Sequence, residues 1–188
     1  MLQRYPGTFA ALNPARWLRA ASRYLPCSAL LGAIVASSTA ITGATEADTA
    51  FDKAVTIPAD TLVANTVLRI RAQGVHTATT GAETHTIALK IGTTTIASRA
   101  AVDPANNDIF TFDITVTIRT AGASGTMVAA GTMAVGAGGT ANPIAVLLAS
   151  TAIDTTAAKD VAVWIDRQAA ATDGDSARLD LLVVEIIG

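Results

Sequence analysis

The sequence predicts an all-β fold, an antiparallel β-sandwich or jelly roll, preceded by an N-terminal arm that contains a short helix. Three observations lead to this prediction. Hydrophobic residues make up 51 % of the chain, yet aromatic residues only 4 %. Threonine occurs 27 times, and its β-branched, half-polar side chain suits the partly buried face of a sheet. After residue 50, apolar and polar residues alternate with the period of two that is typical of strands.

The N-terminal segment, residues 1–43, differs from the remainder in charge. It carries four arginines and no acidic residue, a net charge of +4, whereas residues 44–188 carry nine basic and 15 acidic residues, a net charge of −6. Asn13-Pro14 is typical of a helix start, and an amphipathic pattern follows it as far as Pro26. We therefore predict an arm over residues 1–43, with a helix over 14–25, and a jelly-roll-like β domain over residues 44–188.

We expect this arm to bind a partner, because its apolar side chains can bury on a protein surface while its arginines pair with acidic groups. The predicted contact residues are Arg4, Arg16, Trp17, Leu18, Arg19, Arg23 and Leu25. A signal peptide is the alternative, with an apolar core over 25–35 and small residues over 36–40. Its basic region would be long, which favours the arm. No membrane partner is expected, since the apolar run is shorter than the roughly 20 residues of a membrane span.

From residue 50 onwards the pattern predicts strands separated by turns. The predicted strands are 51–57, 67–73, 84–91, 93–98, 108–120, 126–135, 144–148, 161–166 and 179–187. The clearest is 108–120, in which Phe110, Phe112, Ile114, Val116 and Ile118 share one face. Turns are expected at Gly92 and over 121–125, and a loop over the glycine-rich 136–139. The last strand is apolar on both faces, which indicates a central strand or one covered by another subunit.

Candidate metal and catalytic groups are sparse. His76 and His85 flank a predicted hairpin turn at Thr80-Gly81 and lack a third ligand of suitable spacing. We interpret them as a polar hairpin tip. The segment 103–108 is rich in oxygen ligands but lacks the alternating pattern of a calcium loop, so we interpret it as a polar turn. No metal and no cofactor are predicted.

Nucleophile motifs are also missing from the sequence, which contains neither a Gly-x-Ser-x-Gly elbow nor a phosphate-binding loop. Cys27 is the single cysteine and follows a proline in an apolar context. Trp164 is predicted on the solvent or interface side of its strand, where packing is favoured over sugar stacking. The acidic β domain has no basic stripe, which argues against a nucleic-acid partner. We therefore expect no enzyme activity, although carboxylates that meet only in three dimensions leave that alternative open.

Several segments resemble a family of phage-encoded virion proteins. The resemblance begins with Phe51-Asp52-Lys53-Ala54-Val55-Thr56-Ile57-Pro58-Ala59-Asp60-Thr61-Leu62 and the following strand, residues 67–74. It continues in residues 118–125, 148–156 and 178–185, and it covers about 46–188 but not the arm. The resemblance implies a jelly-roll-like structural component of the virion, often trimeric, without enzymatic residues.

These observations favour a capsid decoration or cement protein of a bacteriophage. It would form a homo-oligomer, a trimer by the resemblance, and bind the major capsid protein through its arm. A tail, baseplate or fibre component is the first alternative, with receptor binding at loops 74–85 or 136–143. A secreted carbohydrate-binding module with a cleaved signal peptide is the second.

Overall fold

The computed structural model describes residues 29–42, 48–78, 84–137, 140–168 and 175–187. Within these ranges all helix or strand structure consists of β-strands. The helix predicted over residues 14–25 lies outside the described ranges. The strands are β1 (Ala29–Ile34), β2 (Ile41–Thr42), β3 (Thr49–Ile57), β4 (Val67–Thr77), β5 (Thr84–Ile91), β6 (Thr94–Val102), β7 (Asp108–Thr120), β8 (Gly125–Ala137), β9 (Thr140–Ile153), β10 (Lys159–Gln168) and β11 (Ser176–Ile186).

The strands form two antiparallel sheets. The larger has the order β1-β11-β4-β7-β8-β9, with β2 also paired to β11, and the smaller has the order β3-β10-β5-β6. Without β2 and the β8–β9 hairpin, eight strands remain. Counted along the chain, the first, eighth, third and sixth of these (β1, β11, β4 and β7) form one sheet. The second, seventh, fourth and fifth (β3, β10, β5 and β6) form the other. This is the connectivity of a jelly roll, so the predicted fold class is confirmed.

Strand β7 contributes the centre of the core, as its alternation predicts. Its five predicted inward residues, Phe110 to Ile118, are all at most 2 % exposed. Each buried apolar side chain of this size contributes about 1.5–3 kcal/mol of transfer free energy. The Phe110 ring stacks on Phe51 of the smaller sheet, with 6.0 Å between ring centroids. Aromatic contact therefore joins the two sheets, even though the chain has few aromatic residues.

Two predicted turns are confirmed. Gly92 adopts a φ of 58° between β5 and β6, a left-handed conformation that glycine enters without steric cost. Gly122 adopts a φ of 114° between β7 and β8. Its N–H donates to Thr155 Oγ1 at 2.8 Å, and Thr155 N–H donates back to Gly122 O at 3.1 Å. The β7–β8 turn is thus tied to the chain that leaves β9.

The described part of the N-terminal segment belongs to the sandwich. β1 and β2 both pair with β11, and buried Ser38 exchanges hydrogen bonds with Leu179 of that strand. Thr39 donates to Asp52 of β3 from its N–H and its hydroxyl, and these bonds lower the pKa of Asp52. Residues 29–42 are therefore attached to both sheets, and the division of the chain at residue 43 stays a prediction.

Strand β11 lies between β1 and β4, so the prediction of a central last strand is confirmed. The glycine-rich loop begins later than expected, because β8 continues through Gly136 to Ala137. A Cβ atom at Gly136 would lie 2.7 Å from Cβ of Asp108, which explains why glycine occupies this strand position.

The hairpin predicted around Thr80-Gly81 is wrong. β4 belongs to the larger sheet and β5 to the smaller one, so the chain crosses between the sheets instead of pairing β4 with β5. Residues 79–83 lie outside the described ranges. Both flanking strands bury alternate residues in the same core, and a local sequence pattern does not distinguish this crossing from a hairpin.

Candidate functional site

The predicted contact residues of the arm, Arg4, Arg16, Trp17, Leu18, Arg19, Arg23 and Leu25, all precede Ala29, where the described residues begin. Their role in binding a partner therefore stays a prediction. The candidate sites among the described residues lie in the sandwich.

His76 and His85 come together in the interior, not at an exposed hairpin tip. Their Nδ1 atoms are 3.3 Å apart and both residues are fully buried. His76 faces inward from β4 and His85 from β5 in the opposite sheet. The His76 ring also meets the Phe110 ring edge-on, with 6.0 Å between centroids. The sequence indicated that the two residues are close, but it missed their burial.

Burial determines the protonation of this histidine pair. It lowers the pKa of His76 to about 4, with a further contribution from His85, against the opposing effects of Asp108 and the Gly136 backbone. Burial also lowers the pKa of His85 to about 4, assisted by Arg167 and opposed by Asp175 and Asp103. Both rings are therefore neutral at pH 7, and a hydrogen bond between their Nδ1 atoms requires one donor and one acceptor.

The pair is closed to solvent, which suits a structural role. A substrate or a hydrated ion cannot reach fully buried rings without opening the sandwich. No group of three or more histidine, cysteine, aspartate or glutamate side chains suited to a metal ion occurs among the described residues. Among the same residues, no helix is long and apolar enough to span a membrane.

The segment 103–108 forms the predicted polar turn. The Asp108 carboxylate accepts a hydrogen bond from Ala105 N–H at 2.6 Å, and Asn107 N–H donates to Thr77 Oγ1 at 3.0 Å. Asn107 has a φ of 61°, a conformation that asparagine tolerates better than most residues. These oxygens hold the turn and orient the start of β7.

Trp164 lies on the outer face of the smaller sheet, as expected. The Lys90 ammonium sits 4.2 Å from the ring centroid and is paired with Asp48, so one face of the ring is already covered. The indole Nε1 is buried without a hydrogen-bond partner. A groove of about 350 Å³ beside the ring is lined by small residues together with Lys159 and Asp160; the full lining is Ala50, Phe51, Ala54, Gly92, Thr93, Ala158, Lys159, Asp160, Ala162 and Trp164. This surface favours packing over sugar stacking.

The outer face of the larger sheet changes character across its width. Over β4 and β7 it is charged: Arg69 donates to both carboxylate oxygens of Asp113, at 3.0 and 2.7 Å. These bonds lower the pKa of Asp113 and raise that of Arg69. Over β8 and β9 the face becomes apolar. A groove of about 430 Å³ lies there, lined by Thr115, Thr117, Arg119, Val128, Ala129, Ala130, Leu147, Leu148 and Ala149.

Strand β9 forms the edge next to this apolar groove. Its 14 residues include no charged side chain, and Leu147 is 86 % exposed. In the sequence, the segment 144–148 indicates only a strand. The signal that was available is the run of uncharged residues from 140 to 153, but whether such a strand lies at an edge depends on its neighbours.

No family model matches this chain, and no curated protein matches it. Among solved structures, it is similar to the VP2 subviral particle of infectious bursal disease virus, with 15 % identity and a TM-score of 0.40 over 86 % of this chain. It is also similar to a mutant VP2 of the same virus in T=1 particles, with 16 % identity and a TM-score of 0.33 over 86 % of this chain. The matches span only 33 % and 32 % of those chains. Both TM-scores lie below 0.5, so the fold assignment rests on this chain's own strand pairing.

Proposed function

We propose that this protein is a structural component of a virus particle, a capsid decoration or cement protein of a bacteriophage. It associates with copies of itself through the sandwich and binds the major capsid protein through its N-terminal arm. The observation that carries the proposal is the jelly roll with an uncharged, solvent-exposed edge at β9. An edge of this kind is suited to contact with another protein chain.

The charge distribution supports separate roles for the two parts of the chain, with the arm binding the capsid protein and the sandwich binding copies of itself. Residues 1–43 have a net charge of +4 and residues 44–188 a net charge of −6. The exposed charges of the described sandwich are partly neutralised within it, as in the Arg69–Asp113 and Arg178–Asp180 pairs. Arginines of the arm are therefore the proposed contacts with acidic groups on the capsid shell.

The test is co-sedimentation of the full chain with virus particles from the genome that encodes it. One variant replaces Arg16, Arg19 and Arg23 with glutamine. The matched control replaces Arg69, Arg71 and Arg178, exposed arginines of the sandwich, in the same way. Both variants lose three positive charges, so net charge alone does not separate them.

We expect the arm variant to lose most of its occupancy on the particle and the control to retain it. Equal occupancy of the two variants would show that the arm is not the attachment element. A wild-type chain that neither sediments with particles nor associates with itself would refute the virion function altogether.

A further inference from the structure

The edges of the two sheets are formed by β9, by β1 together with the two-residue β2, by β3 and by β6, and β9 is the least protected of these strands. β3 carries Asp52 and Lys53, and β6 carries Arg99. β1 is uncharged but has only six residues, whereas β9 is uncharged over 14. Protein edges are normally blunted by charge, proline or shortness. On β9 the one such feature is Pro143, close to the start of the strand.

The β8–β9 hairpin extends the larger sheet, and β6 of the smaller sheet packs against it, with Arg99 donating a hydrogen bond to Asn142 O of β9 at 3.0 Å. It adds two strands to the larger sheet beyond the eight of the jelly roll, and no strand among the described residues pairs with the outer side of β9. Val146 and Leu148 are therefore only partly buried against the core, and Ile144 is 37 % exposed. On the opposite face, Leu147 stands beside the groove over β8. Apolar surface is thus accessible on both faces of one open edge.

We propose that β9 pairs antiparallel with β9 of a second copy of this chain, about a two-fold axis close to Leu147. Such a contact is self-complementary, since each copy supplies the same uncharged strand of equal length. It joins the two larger sheets into one and places the Leu147 side chains next to each other. The inference rests on the self-association proposed above and assigns it to a two-fold contact between two copies, where the resemblance implied a trimer.

The N-terminal arm is a less suitable occupant of this edge. The arm carries four arginines, and β9 has no acidic residue to pair with them. A second copy would place another uncharged β9 strand against this edge, so that no charged side chain is buried without a partner.

Leu147→Lys in the full chain tests the proposal. Because Leu147 is 86 % exposed, the folded monomer should tolerate lysine, while two ammonium groups near the axis would repel each other. We expect the dissociation constant of self-association to rise about 100-fold or more, measured by sedimentation equilibrium. Leu30→Lys, at the opposite edge where Leu30 is 61 % exposed, is the matched control and should leave the constant unchanged.

Cross-linking gives a second readout that does not depend on weakening the contact. In a Cys27→Ser background, Leu147→Cys provides the only cysteine of the chain, and a short bismaleimide should link two copies through it. Leu30→Cys in the same background should give no linked dimer.

Linking through residue 30 but not 147, or a Leu147→Lys chain that associates as tightly as wild type, would overturn the β9 contact. Either result would remove β9 as the surface of self-association, whereas attachment to the virus particle is tested separately by the co-sedimentation experiment.

Discussion

The Nδ1 atoms of His76 and His85 meet at 3.3 Å between the two sheets, and neither residue has exposed surface. Two neutral imidazoles satisfy this contact, with one nitrogen donating and the other accepting. Protonation of either ring would place a charge in the core, and protonation of the accepting Nδ1 would also set two N–H groups against each other. The pair thus makes the stability of the sandwich depend on pH.

We expect the free energy of unfolding to fall as the solution is acidified from about pH 7 to about pH 4.5. The folded-state pKa of both histidines is about 4, below the ordinary value of 6.5, so the unfolded chain binds protons first. Their destabilisation is absent above pH 6.5 and grows as pH falls towards 4. Since one pKa unit corresponds to about 1.4 kcal/mol, the combined loss should reach several kcal/mol. Urea unfolding across this range measures it.

A His76→Gln, His85→Gln variant is the control for this prediction, because glutamine does not titrate. It should be less sensitive to pH in the same window, whatever its stability at pH 7. Asp103, Asp108, Arg167 and Asp175 surround the pair and are unchanged in the variant. An equally steep loss in the variant and wild type would assign the acid sensitivity to other groups.

Phe110→Ala should destabilise the protein by about 3–5 kcal/mol. Phe110 is fully buried and contacts the rings of Phe51, Phe112 and His76, so its removal leaves a cavity between the sheets. The preceding residue, Ile109, is 46 % exposed. Ile109→Ala is therefore the control and should change stability by less than about 0.5 kcal/mol. Chemical denaturation of both variants gives the comparison; similar losses would contradict the assignment of the two faces of β7.

Ser38→Ala should cost about 1–3 kcal/mol. The Ser38 hydroxyl accepts a hydrogen bond from Leu179 N–H at 3.0 Å in a buried environment, and alanine would leave that donor unsatisfied. Ser37→Ala removes only an exposed hydrogen bond to Asp180 and should have little effect. Thermal unfolding of the pair measures whether residues 29–42 stabilise the sandwich. If neither substitution lowered the melting temperature, residues 29–42 would contribute little to the stability of the sandwich.

The sequence by itself determined the class of fold and much of the core. In β7, the alternation over residues 108–118 identifies the strand and its buried face, because alternate side chains of a strand point to opposite faces. Apolar residues on both faces of β11 indicated a central or covered strand, and its position between β1 and β4 is central. The β5–β6 and β7–β8 turns were predictable from Gly92 and Gly122 and their neighbours, because the conformation of a short turn depends on its own residues.

Only the tertiary structure decided which strands are neighbours. Period two shows that one face of a strand is buried but not which strand lies beside it, because pairing joins residues far apart in the chain. For this reason β4 and β5 were expected as a hairpin and instead lie in opposite sheets, which encloses His76 and His85. For the same reason the sequence showed 144–148 as a strand, while its exposed position at the edge depends on the other strands of its sheet.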